Sequence, residues 1–272
     1  MGKGGEYKMS VEILMSCMYQ NDFSIVKKSN IQSDAIIVNQ TNIDKVEIKE
    51  YDFGIVKMIS TTERGLSKSR NMALKNSTAD FCVICDDDEV LTDNYVEMVE
   101  EAYNQTNADV IVFNIKSMNI NFRPQEKFFE KITKINKYKS YSSVHVTFRR
   151  KIVNDNALSF NSYFGSGSGF YSMAEDSLFF DDLHKCTDKI YTYPGIIAEL
   201  YSKDSTWFKG FNKKYFYDTG AFLYAWKPKM VHLLKWYYVI RLFKKTELSV
   251  PEITKQLNRG IKGYKNKEIY KE

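Results

Sequence analysis

The stretch Phe81-Cys82-Val83-Ile84-Cys85-Asp86-Asp87-Asp88-Glu89-Val90-Leu91 constrains this chain more than any other. An apolar run of strand length breaks off in consecutive acids, and apolar character resumes at once. Short apolar runs bounded by polar residues read as strands buried on both faces, the kind found in parallel sheets covered by helices. The acids then fall where the strand leaves the sheet, and in open α/β sheets the ligand crevice lies outside the carboxyl ends of the strands. Carboxylates crowded there repel one another and lose solvation, so a cation is needed to offset them. Asp86 and Asp88 suit a hard divalent ion, Mn2+ or Mg2+, which takes one or two carboxylates and completes its shell with phosphate oxygens. A purely structural reading competes. The acids would lead into a helix from Thr92-Asp93 to Gln105, whose N-terminus favours negative charge. That accounts for Asp93 and Glu89, but not for Asp86 and Asp88 directly behind a strand.

The same pattern recurs upstream. Val11 to Cys17, Ala35 to Val38 (ending at Asn39-Gln40), Ile55 to Ile59 and Val110 to Phe113 read as further strands. Strands alternating with helices over the first 115 residues predict an α/β fold with a doubly wound, mainly parallel sheet. With 272 residues the chain is long enough for one large α/β domain with an elaborated C-terminal part. Between the third and fourth strands, Gly65 and Ser67 predict the start of a helix that runs to Asn76, with Ser67 as its cap. Leu66, Arg70, Ala73 and Leu74 share one face of that helix. An arginine on an inward stripe needs an anion. The acid cluster or a bound diphosphate would serve, and a guanidinium that snorkels to solvent is the bland alternative.

Composition excludes some classes. A net charge of +5 is too mild for a nucleic-acid partner. The four cysteines lack paired spacing, and Cys82 and Cys85, three apart on a strand, point to opposite faces; a reducing, cytoplasmic compartment is expected. Residues 1–9 carry no signal-peptide core and read as a leader or tag, and no apolar stretch is long enough to span a bilayer. The 19 Tyr and 18 Phe suit sugar stacking, although codon bias also enriches them.

At this point a family resemblance enters. The order Arg64-Gly65-Leu66-Ser67-x-Ser69-Arg70-Asn71-x-Ala73-Leu74, then a buried strand, then Asp86-Asp87-Asp88-Glu89, resembles the nucleotide-sugar half of glycosyltransferase family 2. Ser69 stands where the family often has Ala, Ala73 where Gly is common, and Glu89 in place of a fourth Asp. The usual first-strand ending appears only as Ser16-Cys17-Met18-Tyr19-Gln20-Asn21. The resemblance implies the GT-A fold, with a nucleotide-sugar half at 10–115, an acceptor half at 116–210 and a helical extension over 211–272. It further implies a metal-dependent, inverting transfer from a nucleoside diphosphate sugar, with UDP as the nucleotide. The acceptor would be a hydroxyl of an oligosaccharide or lipid-linked glycan of the capsule or exopolysaccharide kind.

By the same resemblance Asp88 would ligate the metal, Asp86 would contact metal, ribose or donor sugar, and Asp87 would line the same pocket. Ser16 and Asn39 would lie near the nucleoside, and Arg64 and Arg70 would steady the anionic pocket. The pair Glu175-Asp176 would supply the base, and Asp176 is the choice, because Ser172-x-x-Glu175 matches a capping box that gives Glu175 a structural task. Glu175 and Trp207 are kept as acceptor contacts. The run Gly165-Ser166-Gly167-Ser168-Gly169 lacks the lysine of a phosphate loop and reads as an acceptor-side loop or a solvated turn.

Three matters stay open. Residues 228–245, with Trp and Tyr beside basic residues, would suit an anionic leaflet, a helix packed on its own domain, or a homodimer contact equally. Val83 to Val90 also resembles the strand of haloacid-dehalogenase-like phosphatases, in which Asp86 would be the nucleophile. A non-catalytic sugar-binding or partner subunit would keep the same fold.

Overall fold

The computed structural model describes residues 9–119, 127–136, 139–201 and 208–271. They form two compact units, one of Met1–Arg64, Ser69–Ser159 and Phe179–Lys203, the other of Gly65–Lys68, Phe160–Leu178 and Asp204–Glu272.

The first unit is built on strands β1 (Val11–Met18), β2 (Asp34–Gln40), β3 (Lys45–Tyr51), β4 (Gly54–Thr61), β5 (Phe81–Asp86), β6 (Glu89–Leu91), β7 (Val110–Ser117), β8 (Thr133–Lys134), β9 (Val146–Arg149) and β10 (Ile190–Leu200). They make one sheet in the order β3-β4-β2-β1-β5-β9-β7-β10-β6, with β8 paired to β10. β4, β2, β1 and β5 run parallel, as their unbroken apolar cores require. β9 is inserted antiparallel between β5 and β7. Helices α1 (Ser24–Lys28), α2 (Leu66–Asn76), α3 (Tyr95–Thr106) and α4 (Arg150–Asp155) connect the strands. Ile13, Met15, Ile37, Val83, Val99 and Phe113 belong to one buried core. Tyr103 of α3 stacks on Phe81, ring centroids 4.0 Å apart, and Tyr95 donates to Ser33 Oγ at 2.7 Å.

Helix α3 begins at Tyr95 rather than Thr92, because Thr92 spends its N–H and hydroxyl on the backbone carbonyls of Ile196 and Ile197 in β10. The acids of 86–89 therefore do not lead into a helix. They form a tight turn from β5 into β6, a short strand that pairs antiparallel with β10. The alternating pattern of β3 escaped the sequence reading: its residues are mostly exposed, so no buried run announces it.

The second unit is helical, with α5 (Glu175–Cys186) starting in it and α6 (Lys213–Trp226), α7 (Val231–Leu242) and α8 (Val250–Asn266) forming its bulk. Asn212 caps α6 by accepting the Tyr215 N–H at 2.9 Å, and Ser249 with Glu252 forms a capping box on α8. α6 and α8 cross where glycines let the backbones touch. A Cβ on Gly220 would run into the Leu257 carbonyl, and one on Gly260 into the Tyr217 carbonyl. Phe216, Leu223, Val239, Leu242, Ile253 and Leu257 fill the core beside this crossing. The hydroxyls of Tyr171 and Tyr217 both donate to the Glu268 carbonyl, at 3.2 and 2.9 Å, which ties the chain end to the helices.

Candidate active site

The turn after β5 sits at the carboxyl ends of the parallel strands, and its acids are held in different ways. Asp86 is gripped by Arg70 of α2, whose Nη2 donates to Oδ1 at 3.0 Å and to Oδ2 at 3.2 Å. Arg70 is 3% exposed, so of the partners left open for it the acid cluster is the one observed. Glu89 is buried and folds back to accept the Asp86 N–H at 2.8 Å. Burial, and then the neighbouring Asp86 charge, push its carboxyl well above the usual carboxylate range. Glu89 thus braces the turn from inside. Asp87 is half-buried and its carbonyl accepts from Lys28 at 3.2 Å. Its carboxyl is pushed up by burial and by Asp86, and Lys28 opposes the shift. Asp88 is also half-buried, and its carbonyl accepts the Tyr201 N–H at 2.8 Å, so the turn is fastened on both sides.

The residues expected near a nucleoside mostly serve the walls of the crevice. Ser16 is buried opposite Asp86 in the β1–β5 ladder, and its Oγ accepts from Ser69 of α2 at 2.9 Å. Asn39 is 1% exposed and spends its whole amide: Oδ1 accepts the Gln20 N–H at 2.9 Å, and Nδ2 donates to the Gln20 carbonyl and to Ser60 Oγ. Both residues brace the end of β1, and the fully committed Asn39 amide positions the 19–21 turn. Arg64 reaches the Thr61 and Thr62 carbonyls and Asn42 Oδ1, and its guanidinium lies 5.7 Å from the Tyr19 ring centroid. Tyr19 itself is 56% exposed and held in a left-handed conformation at φ 53°. The sequence reading missed this exposed ring, although an aromatic residue directly after a buried strand was a usable signal.

In the second unit, Asp176 occupies the first turn of α5, half-buried. Glu175 is the first residue of that helix and is buried, at 9% exposure. The expected capping box is absent, because Ser172 lies too far upstream. Its N–H donates to Asp218 at 3.0 Å and its Oγ accepts from Lys214 at 2.8 Å. The expected Ser67 cap is likewise corrected. Ser67 lies inside α2 and donates to the Phe164 carbonyl at 2.6 Å, while the Leu66 N–H donates to the Ser166 carbonyl at 2.9 Å. The glycine-serine run is therefore an anchored turn. Gly165 is required at φ 102°, where a Cβ would press on Ser67 Oγ and Glu175. Trp207 lies outside the described residues.

One acid was overlooked altogether. Asp218 of α6 is 2% exposed and lines a cavity of about 340 Å³ with Ser166, Ser172, Lys214 and Tyr215. Lys214 donates to its Oδ2 at 2.6 Å, and its Oδ1 has no hydrogen-bond partner among the described residues. Burial raises its carboxyl, and Lys214 and Ser172 oppose the shift. Only the i,i+4 spacing from Lys214 hinted at it.

Among the described residues no three His, Cys, Asp or Glu side chains converge into a ready-made metal cage. A hard divalent ion does not need one. Such ions often take one or two carboxylates and let substrate phosphates complete the shell. Asp86 and Asp88, half-buried in the turn, offer only oxygen donors and fit such an ion.

A mixed, mainly parallel sheet flanked by helices, with acids in a turn at its carboxyl edge and helices at the C-terminus, defines the GT-A class of architecture. Three solved structures share the fold. TarS 1-349 from S. aureus aligns with a TM-score of 0.62 at 14% identity, over 97% of this chain and 93% of that one. The same protein in complex with UDP-GlcNAc aligns at 0.64 and 13%, and in complex with UDP at 0.63 and 14%, with the same coverage. No curated protein sequence matches the chain. The profile described as "Glycosyl transferase family 2" matches residues 32–167, half of the sequence, and the chain belongs to that family. It is a glycosyltransferase, and the phosphatase reading of Asp86 falls away.

Proposed function

We propose that this enzyme moves a sugar from a UDP-sugar to a hydroxyl of a growing, lipid-linked surface glycan of the capsule or exopolysaccharide kind, with inversion at the anomeric carbon. The observation that carries this reading is the braced acid turn after β5, where Arg70 holds Asp86 and Asp88 stands half-buried beside it. UDP as the nucleotide is supported by the fold shared with TarS, which has been crystallised with UDP and UDP-GlcNAc. Residues 10–115 would hold the donor, 116–210 the acceptor, and 211–272 would extend the acceptor side.

Asp88 would hold Mn2+ or Mg2+ against the diphosphate, where the ion offsets charge on the departing nucleotide. Arg70 fixes Asp86, so that its outer edge would accept from ribose or sugar hydroxyls. The Tyr19 ring and the planar guanidinium of Arg64 would offer flat stacking surfaces for a base at the end of β1. Asp176 would take the proton from the acceptor hydroxyl as its oxygen bonds to the anomeric carbon and the bond to the diphosphate oxygen breaks. Catalysis happens at the cytoplasmic side of the plasma membrane in this reading.

The test is a panel of nucleotide sugars incubated with Mn2+, scored for release of nucleoside diphosphate. Release from one UDP-sugar, lost in Asp88→Ala and in the presence of a chelator, is expected. Chelator-resistant release at full rate in Asp88→Ala would remove the assignment of Asp88.

A further inference from the structure

Helix α7 is apolar on both sides, yet only one side is covered. Val231, Lys235, Val239 and Leu242 are buried, and Lys235 donates there to Asn258 at 3.1 Å. At 100° per residue those four span one flank of the helix. Leu233, Trp236, Tyr237 and Ile240 fall on the opposite arc, Met230 and Phe243 flank the helix in adjoining 3-10 turns, and all six are exposed, Leu233 at 67% and Ile240 at 70%. Single exposed apolar residues need no explanation, but four on one helical face with two more at its ends form a patch that marks an interaction surface.

Its charge says what covers it. From Lys227 to Thr246 the sequence holds no acid. Lys229, Arg241, Lys244 and Lys245 are exposed around the apolar arc. Two of these cations lie on aromatic rings: Arg241 is 6.0 Å from the Tyr237 centroid, and Lys244 is 5.7 Å from that of Phe243. A second copy of this face would bring like charges together with nothing to neutralise them, which disfavours pairing of the helix with itself. A sheet of phosphates above an apolar interior meets both demands at once. Trp and Tyr prefer that boundary, and lysine and arginine stems reach from it to the headgroups.

We propose that the α7 face lies in the surface of an anionic lipid bilayer, with its axis in the membrane plane and its apolar arc in the headgroup boundary. The helix is a docking element and not a span; among the described residues no helix is long and apolar enough to cross a membrane. The basic residues need not gather on one helical face, because the exposed apolar arc organises the contact and the cations ring it. Docking would not depend on the donor chemistry.

The experiment is flotation of the full chain with phosphatidylcholine vesicles, with and without phosphatidylglycerol. Binding is expected only with the anionic lipid, to fall about tenfold in Leu233→Ser/Ile240→Ser and in Lys244→Gln/Lys245→Gln, and to weaken in about 0.5 M salt. Brominated lipid should quench fluorescence in the wild type and much less in Trp236→Phe. Both double variants should keep the wild-type melting temperature and, without vesicles, its release of nucleoside diphosphate, so the donor reading and the docking reading fail separately. No binding to anionic vesicles, or equal binding of the variants, overturns the proposal. So does a wild-type dimer in solution that Leu233→Ser/Ile240→Ser dissociates, since the face would then join two copies.

Discussion

The turn after β5 and the cavity on α6 both bury carboxylates, and they treat them in opposite ways. At the turn, Asp86 is matched by an arginine from another element, and the Glu89 carboxyl folds back onto the backbone N–H of Asp86. On α6, Asp218 is met by Lys214 one turn away on the same helix, and one of its oxygens is left without a hydrogen bond among the described residues. The first arrangement fixes acids at a crevice by long-range contacts that exist only in the folded sheet. The second answers an acid locally and leaves one of its oxygens buried without a hydrogen bond among the described residues. A strand end can aim several acids into solvent at once, whereas a buried helix face admits one and must answer it nearby.

The sharpest way to break this comparison is at the base. Asp176→Asn should lower sugar transfer about 1,000-fold while leaving UDP-sugar affinity unchanged. Transfer at the wild-type rate, measured by single-turnover product formation, would return Asp176 to a helix-terminus role and leave the second unit without a proton acceptor. Next in size is the helix crossing. Gly260→Ala forces a methyl onto the Tyr217 backbone and should cost about 3 kcal/mol in denaturant unfolding. A negligible cost would mean that α6 and α8 can separate without penalty.

Arg70→Met leaves Asp86 without its partner and should destabilise the first unit by about 2 kcal/mol, with weaker UDP-sugar binding by calorimetry. Loss of binding without loss of stability would instead make Arg70 a donor contact. The smallest effect concerns pH. Because burial raises the folded carboxyl of Asp218 above its unfolded value, its contribution to stability is fully present below the unfolded value and is lost as pH rises through the folded one. Asp218→Asn should flatten that part of the stability profile, read from denaturation midpoints across the acid-to-neutral range. An unchanged slope would mean that Lys214 fully offsets the burial.

Much of the donor side was legible from residue order. The run Phe81 to Asp86 is apolar on both faces, so only a central parallel strand could accommodate it, and acids behind it had to sit at the carboxyl edge. The inward place of Arg70 followed from its helical spacing with Leu66 and Ala73. Ser16 and Asn39, expected near the nucleoside, show where residue order stops short. A polar residue at a strand end has the same sequence signature whether it touches a ligand or braces the next turn, and only the partners of its atoms separate the two. Glu89 was misjudged because a reversal into β6 depends on pairing with β10, more than a hundred residues away.

Periodicity and composition by themselves determined the alternation of strands and helices, the position of the acid turn and the small excess of positive charge. Those properties are local, or sum over residues without regard to distance. Tertiary structure decided which acid Arg70 holds, that the glycine-serine run is anchored, that Asp218 is buried beside a cavity, and which half of α7 stays uncovered. Each of these depends on contacts between segments far apart in the chain, whose closing is governed by packing and loop entropy and leaves no mark on neighbouring residues.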